Sequence, residues 1–228
     1  CFFLTGGSTQ GILAMLGTAV GRGGAVLLDR EVHKSVCHGC ALLDITPYFI
    51  SAPLIEPFAV SGALSVPDAE AQFIAHPEIR ALLLTSPTYY GIRRDIAAFA
   101  DLCRAYGKLL LVDGAHGAHF PAVGLKTPAE EGADLAVLSI HKTLPCMGQG
   151  AVLLSGSGVD RRALRENTGV EINPIVLLFG ERGVGGDLHR RNRRADRRSA
   201  PRGDVHHLRA GGHQRRDRAE VVARPLHV

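Results

Sequence analysis

Several absences in the 228-residue sequence narrow its class before any motif is read. No apolar run approaches the roughly 18–20 residues that a membrane-spanning helix needs. The longest candidate, residues 11–20, is interrupted by a threonine, so no membrane partner is expected. There is no initiator methionine. The chain opens at Cys1 and runs at once into the strand-like Phe2-Phe3-Leu4, which reads as a fragment, with no signal peptide to inspect. The five cysteines (Cys1, Cys37, Cys40, Cys103 and Cys146) are odd in number and lack the spacing of a secreted disulfide framework. A reducing compartment, the cytoplasm, is therefore expected. The composition, 46% hydrophobic and 21% charged, excludes a wholly disordered chain.

Lysine is scarce, and its distribution divides the chain. All four lysines fall in the first 180 residues, which carry thirteen basic and sixteen acidic residues. Residues 181–228 hold thirteen arginines, six acidic residues, no lysine and no aromatic side chain. The net charge of +4 therefore averages a mildly acidic body and a strongly basic tail. The tail lacks the apolar periodicity needed to fold alone and reads as disordered or frameshifted. Without aromatic residues for base stacking or a known motif, nucleic-acid binding through it is disfavoured.

A metal centre is also disfavoured. His33, Cys37, His38 and Cys40 cluster locally, but a structural zinc site needs four ligands in tetrahedral geometry. No second CxxC or HxxxH pair completes such a set. On a helix Cys37 and Cys40 share a face at i, i+3, and small buried thiols are the preferred reading.

The body alternates short apolar runs with helical patterns. Residues 2–4, 25–28, 46–50, 81–84, 109–112, 135–138 and 151–154 read as strands. Residues 9–20, 32–43, 67–75, 96–106 and 128–132 read as helices, and 158–167 could open another. This alternation predicts an α/β fold, a mainly parallel sheet with helices on both faces. The runs Ala81-Leu82-Leu83-Leu84 and Leu109-Leu110-Leu111-Val112 suit strands covered on both sides. The expected divisions are 1–158 for the folded body, 159–180 for a residual helix or strand segment belonging clearly to neither part, and 181–228 for the tail.

In such sheets ligands bind beyond the carboxyl ends of the strands. Three features there carry chemistry. Gly6-Gly7-Ser8-Thr9, between a strand and a helix, offers backbone N–H groups and hydroxyls to a phosphate; the plain alternative is a strand–helix turn with a cap. Asp113 ends a very apolar strand, where a carboxylate needs a cation or strong donors. A pyridinium N–H would serve, and a metal ligand or helix cap are the alternatives. Lys142 follows the strand at 135–138, where an amine can form a Schiff base with a carbonyl cofactor, unless it is simply a solvated lysine. A phosphate cup, a strand-end carboxylate and a strand-end amine match the three handles of pyridoxal 5′-phosphate.

Five stretches in order deepen this pattern: Phe2-Phe3-Leu4-Thr5-Gly6-Gly7-Ser8-Thr9-Gln10-Gly11, Asp29-Arg30-Glu31-Val32-His33-Lys34-Ser35, Thr85-Ser86-Pro87-Thr88-Tyr89-Tyr90-Gly91, Asp113-Gly114-Ala115-His116-Gly117-Ala118-His119-Phe120 and Ser139-Ile140-His141-Lys142-Thr143-Leu144. With them the body resembles the large domain of the fold-type-I pyridoxal-phosphate enzymes. Within that group it resembles the bacterial ornithine/lysine/arginine decarboxylases, over about residues 2–155. The resemblance implies roles. Lys142 would form the Schiff base, Asp113 would hold the ring nitrogen protonated, His33 would stack on one ring face and Ala115 would pack the other. Ser8, Thr9 and Ser139 would bind the phosphate, with His141 beside them. His116 would face the substrate or move a proton, and His119 would be structural. The implied function is decarboxylation of lysine, ornithine or arginine by a homodimer or higher homo-oligomer. Other outcomes on the same scaffold are transamination or β-elimination, or an inactive remnant. The resemblance fades beyond residues 160–185, where the abrupt shift to Arg, Gly, His and Asp is what a displaced reading frame in GC-rich DNA produces. Resequencing the DNA for residues 150–228 should reveal an apolar, family-like continuation in another frame; a confirmed sequence with only this frame open would exclude a frameshift.

Overall fold

The computed structural model describes residues 1–156 and 158–168. The apolar run at 175–179 and the arginine-rich residues 181–228 lie outside the described residues. Seven strands form one sheet: β1 (Phe2–Leu4), β2 (Ala25–Asp29), β3 (Thr46–Ile50), β6 (Ile79–Thr85), β7 (Leu109–Asp113), β8 (Leu135–Ser139) and β9 (Ala151–Ser155). Two short strands, β4 (Leu54–Ile55) and β5 (Val60–Ser61), make a separate hairpin. The strand order is β1-β9-β8-β7-β6-β2-β3. The run from β8 to β3 is parallel throughout, and β9 is antiparallel to both β8 and β1. All seven expected strands are present.

Side-chain alternation makes this sheet two-faced. Along β6, Ala81 and Leu83 point to the same side as α1 (Gly7–Ala19) and α2 (Lys34–Leu43). Leu82 and Leu84 point to the side covered by α3 (Val66–Ala75) and α4 (Ile96–Ala105). Val26 and Leu28 against Leu27, and Leu111 against Leu110 and Val112, repeat the pattern in β2 and β7. Each fully buried leucine contributes roughly 1.5–3 kcal/mol of transfer free energy, which makes the sheet a rigid base for whatever lies at its edges.

The helices start where local chemistry allows. Ser65 accepts from the Asp68 N–H, with Pro67 in the first turn of α3, and Asp95 accepts from the Ala98 N–H to open α4. Helix α2 begins two residues later than its apolar pattern suggests, because His33 itself is the cap. The helix expected at 128–132 is instead a turn. Thr127 and Glu130 form a capping box, with the Thr127 N–H and hydroxyl donating to Glu130 at 2.7 and 2.8 Å. Gly132, at φ +108°, then stops propagation after a single turn. Helix α6 (Arg161–Thr168) packs on α1 through fully buried Leu164, the Asn167 amide donating to Thr18 and the Gln10 amide donating to the Thr168 carbonyl. No helix among the described residues is long and apolar enough to cross a membrane.

A buried ion pair joins three segments beside the carboxyl edge. The Arg94 guanidinium lies 2.9 Å from Asp29 at the end of β2, with both side chains at most 1% exposed. It also donates to the Gly62 carbonyl just past β5, while the Arg94 N–H donates to the Ser86 hydroxyl just past β6. Removing one partner of such a pair leaves an uncompensated buried charge. Arg94→Ala should therefore cost about 3–5 kcal/mol in urea unfolding, whereas Arg22→Ala on the surface should stay within about 0.5 kcal/mol.

Candidate functional site

The carboxyl ends of β2, β6, β7 and β8 surround a cavity of about 540 Å³. His33, Asp113, Ala115, His116 and Lys142 all line it, so the sheet gathers five of the nine expected site residues in one place. Glu31, Lys34, Thr85 and Tyr89 complete the parts of the wall that carry polar or aromatic groups.

Asp113 is the last residue of β7 and is only 3% exposed. It points to the face shared with Leu111, toward α1 and α2. Its Oδ1 accepts from the Ala115 N–H at 3.1 Å. Burial pushes its carboxyl well above the usual carboxylate range, against the opposing pull of that N–H and of Lys142, His33 and His116. Lys142 lies on α5 (Ile140–Thr143), a single turn that directly continues β8. The Gly150 carbonyl, just before β9, anchors that turn by accepting from the Ile140 and His141 N–H groups at 2.9 and 3.2 Å.

The Lys142 amine is 3.1 Å from His116 Nε2. An ammonium can only donate, so Nε2 is the acceptor and the ring proton sits on Nδ1; His116 also hydrogen-bonds the Thr88 backbone. Burial lowers the His116 pKa, with the nearby Lys142 charge adding to the effect, so the imidazole is neutral at neutral pH. His33 has the opposite tautomer. The Ser35 N–H donates to His33 Nδ1 at 3.2 Å, which caps α2, fixes the ring and leaves the proton on Nε2.

The remaining expected residues lie outside the cavity wall. Ser139, fully buried at the end of β8, donates its hydroxyl to the Ser8 hydroxyl at 2.9 Å. Ser8 and Thr9 stand in the first turn of α1, which has no side-chain cap. Gly7 precedes them at φ +77°, and a Cβ there would come within 2.6 Å of the Gln149 amide oxygen. The positive φ favours glycine here, since the Gln149 end could move away. His141 Nδ1 lies 3.1 Å from the Gly150 carbonyl. In the His33–Cys40 stretch, Cys40 is buried, its thiol pushed up to about 11 by that burial, Cys37 is exposed, and His33 caps α2.

Two wall residues escaped sequence reasoning. Thr85 sits directly opposite Asp113 in the β6–β7 ladder, and its buried hydroxyl has no hydrogen-bond partner among the described residues. It opened a matched stretch and closed an apolar run, but had no role of its own. Glu31 lay within a matched stretch without a role of its own.

The raised Asp113 carboxyl implies a pH dependence. The stability attached to this group is fully present below the unfolded carboxylate range, near ~4, and is lost as pH rises through the higher folded value. Asp113→Asn should therefore raise the urea midpoint of the ligand-free chain at pH 7 and flatten its rise on acidification. Parallel pH profiles of mutant and wild type would refute the carboxylate as the source.

Comparison with known proteins agrees with this geometry. A family profile described as Orn/Lys/Arg decarboxylase, major domain, matches residues 1–168. Uncharacterized protein YaaO of Bacillus subtilis is 37% identical over 158 residues, 67% of this chain and 32% of that protein. An arginine decarboxylase of Halalkalibacterium halodurans is 33% identical over 155 residues, 67% of this chain and 31% of that protein. The chain thus spans about a third of the length of these relatives. Among solved structures, an alanine–glyoxylate aminotransferase from Nostoc sp. superposes with a TM-score of 0.56 at 18% identity, covering 78% of this chain and 44% of that one. The architecture is that of the fold-type-I pyridoxal-phosphate enzymes. With the profile extending over most of its length, the chain belongs to the Orn/Lys/Arg decarboxylase family and carries its major domain.

Proposed function

We propose that the body of this chain is the cofactor-holding part of a pyridoxal-phosphate-dependent decarboxylase acting on lysine, ornithine or arginine. The observation that carries the reading is the convergence of the Lys142 amine, the His116 imidazole and the buried Asp113 carboxylate on one cavity.

The donor set fits the cofactor at each handle. The uncapped first turn of α1 and the Ser8–Ser139 hydroxyl pair suit a phosphate, with Thr9 and His141 beside them. Asp113, costly as an isolated buried anion, suits a protonated ring nitrogen. Lys142 supplies the amine for the Schiff-base attachment to the aldehyde carbon. Bound pyridoxal phosphate supplies an electron sink for the pair left when the substrate carboxylate departs as carbon dioxide.

The chain's own groups do the positioning and the proton handling. Neutral His116, 3.1 Å from Lys142, accepts a hydrogen bond from the amine at Nε2 and holds it at the cavity. His33, locked by Ser35, offers a ring face of fixed orientation. Ala115 fills the wall opposite, and its N–H holds one Asp113 oxygen. Transamination on the same scaffold is the competing reaction, and product analysis decides between them.

The reading includes a homo-oligomer in the cytoplasm. Exposed Leu54, Ile55 and Phe58 on the β4–β5 hairpin support an apolar contact between copies. The free thiols of Cys37, Cys40, Cys103 and Cys146 support a reducing setting. The proposed domain limits remain 1–158 for the body, 159–180 as the intervening segment and 181–228 as the tail.

The decisive experiment is borohydride reduction after incubation with pyridoxal phosphate, followed by peptide mapping. A phosphopyridoxyl group should appear on Lys142 and disappear in Lys142→Ala. Asp113→Asn should weaken cofactor binding by roughly 10–100-fold, the worth of a charged hydrogen bond. A folded chain that leaves Lys142 unmodified would overturn the reading.

A further inference from the structure

The cavity wall contains two carboxylates, Asp113 and Glu31. Asp113 is buried beside Lys142, His33 and His116, and its surroundings are those of a ring-nitrogen partner. Glu31 differs in every respect. It is half-buried, two residues beyond β2, and forms no salt bridge among the described residues. Its Oε1 accepts from the Ser61 hydroxyl at 2.7 Å, and Oε2 has no hydrogen-bond partner among the described residues. Asp29, whose Oδ1 accepts from the Glu31 N–H, is neutralised by Arg94. Arg94 is thereby spent, and Glu31 faces the cavity without an ion-pair partner among the described residues. Lys34, exposed at the start of α2, lines the same wall without pairing with it.

A carboxylate pinned at one oxygen and open at the other is a receptor for a cation. The free side-chain ends of lysine, ornithine and arginine all carry one. We propose that Glu31 is a specificity-determining residue that receives the distal cation of the substrate, with Ser61 of β5 as the residue that positions it. The inference rests on the proposed decarboxylase reading and deepens it by assigning substrate choice to this chain's own wall. Ser61 belongs to the hairpin that Arg94 ties down through Gly62, so the carboxylate is held from a fixed support. Tyr89, with its exposed ring in the same wall, offers an apolar surface for the alkyl stem.

The test uses the 228-residue chain loaded with pyridoxal phosphate and titrated with arginine, ornithine and lysine, and with the uncharged analogues citrulline and norleucine. Binding is read from the change in cofactor absorbance. The wild type should prefer the cationic ligands. Glu31→Gln should reduce that preference by roughly 10–100-fold, the loss expected for one charge-assisted hydrogen bond, without changing cofactor uptake. Glu31→Asp should retain part of the preference, and Ser61→Ala should fall between wild type and Glu31→Gln. Glu31 contributes no core packing, and circular dichroism checks that each variant folds. If the preference survives Glu31→Gln, or if the loaded wild type shows no preference or no response, the inference falls while cofactor attachment stands. If no cofactor can be fixed on Lys142, both fall.

Discussion

A carboxylate buried at the end of an apolar strand is the constraint around which the carboxyl edge of this sheet is arranged. Asp113 follows Leu109-Leu110-Leu111-Val112 into an interior where an isolated charge cannot stay ionised without help. The strand order supplies that help. β6 and β8 flank β7, and β2 lies one strand further on. Lys142 therefore arrives from the β8 side and His33 from the β2 side, while His116 follows β7 itself. All three pull the carboxyl toward ionisation, and burial still outweighs them. The remaining penalty makes the site a place for a cation rather than a settled part of the core.

Lys142 depends on the one strand that breaks the parallel pattern. Because β9 runs antiparallel, its beginning rather than its end lies at the carboxyl edge. The Gly150 carbonyl is thus available to hold Ile140 and His141. A four-residue helix has too few internal hydrogen bonds to be stable alone, and this external acceptor anchors its first turn. The same strand pairs with β1, which delivers Gly7 and Ser8 to the edge from the other side. One reversal of direction therefore brings the amine and the hydroxyl pair to the same margin of the sheet.

The central strands were legible because strands covered on both faces write themselves as unbroken apolar runs, whereas the exposed edge strand β3 and the β4–β5 hairpin are not written that way. Lys142 and Asp113 stood out as polar residues at the ends of such runs, while the roles of His33 and His116 came from the family resemblance. What escaped was long-range. Asp29 and Arg94 are 65 residues apart, and nothing in either neighbourhood announces the pair. The turn at 128–132 looked helical because the capping box of Thr127 and Glu130 is a real start signal; the conformation of Gly132 cut it short. The place of Thr85 beside Asp113 came only from the strand pairing, although it opened a matched stretch.

Three features of the edge are each unfavourable in a chain that binds nothing there. The first turn of α1 has no side-chain cap, an omission worth about 1 kcal/mol. The Thr85 hydroxyl is buried without a partner, at a cost of roughly 1–3 kcal/mol. The Asp113 carboxyl is desolvated. All three lie along the carboxyl margin of the sheet, at the ends of β1, β6 and β7. The economical explanation is a single ligand with an anionic end, polar substituents and a protonated ring nitrogen. Satisfying all three at once would couple its binding tightly to stability. Under the proposed function the edge is left unsatisfied by its own side chains because the cofactor completes it.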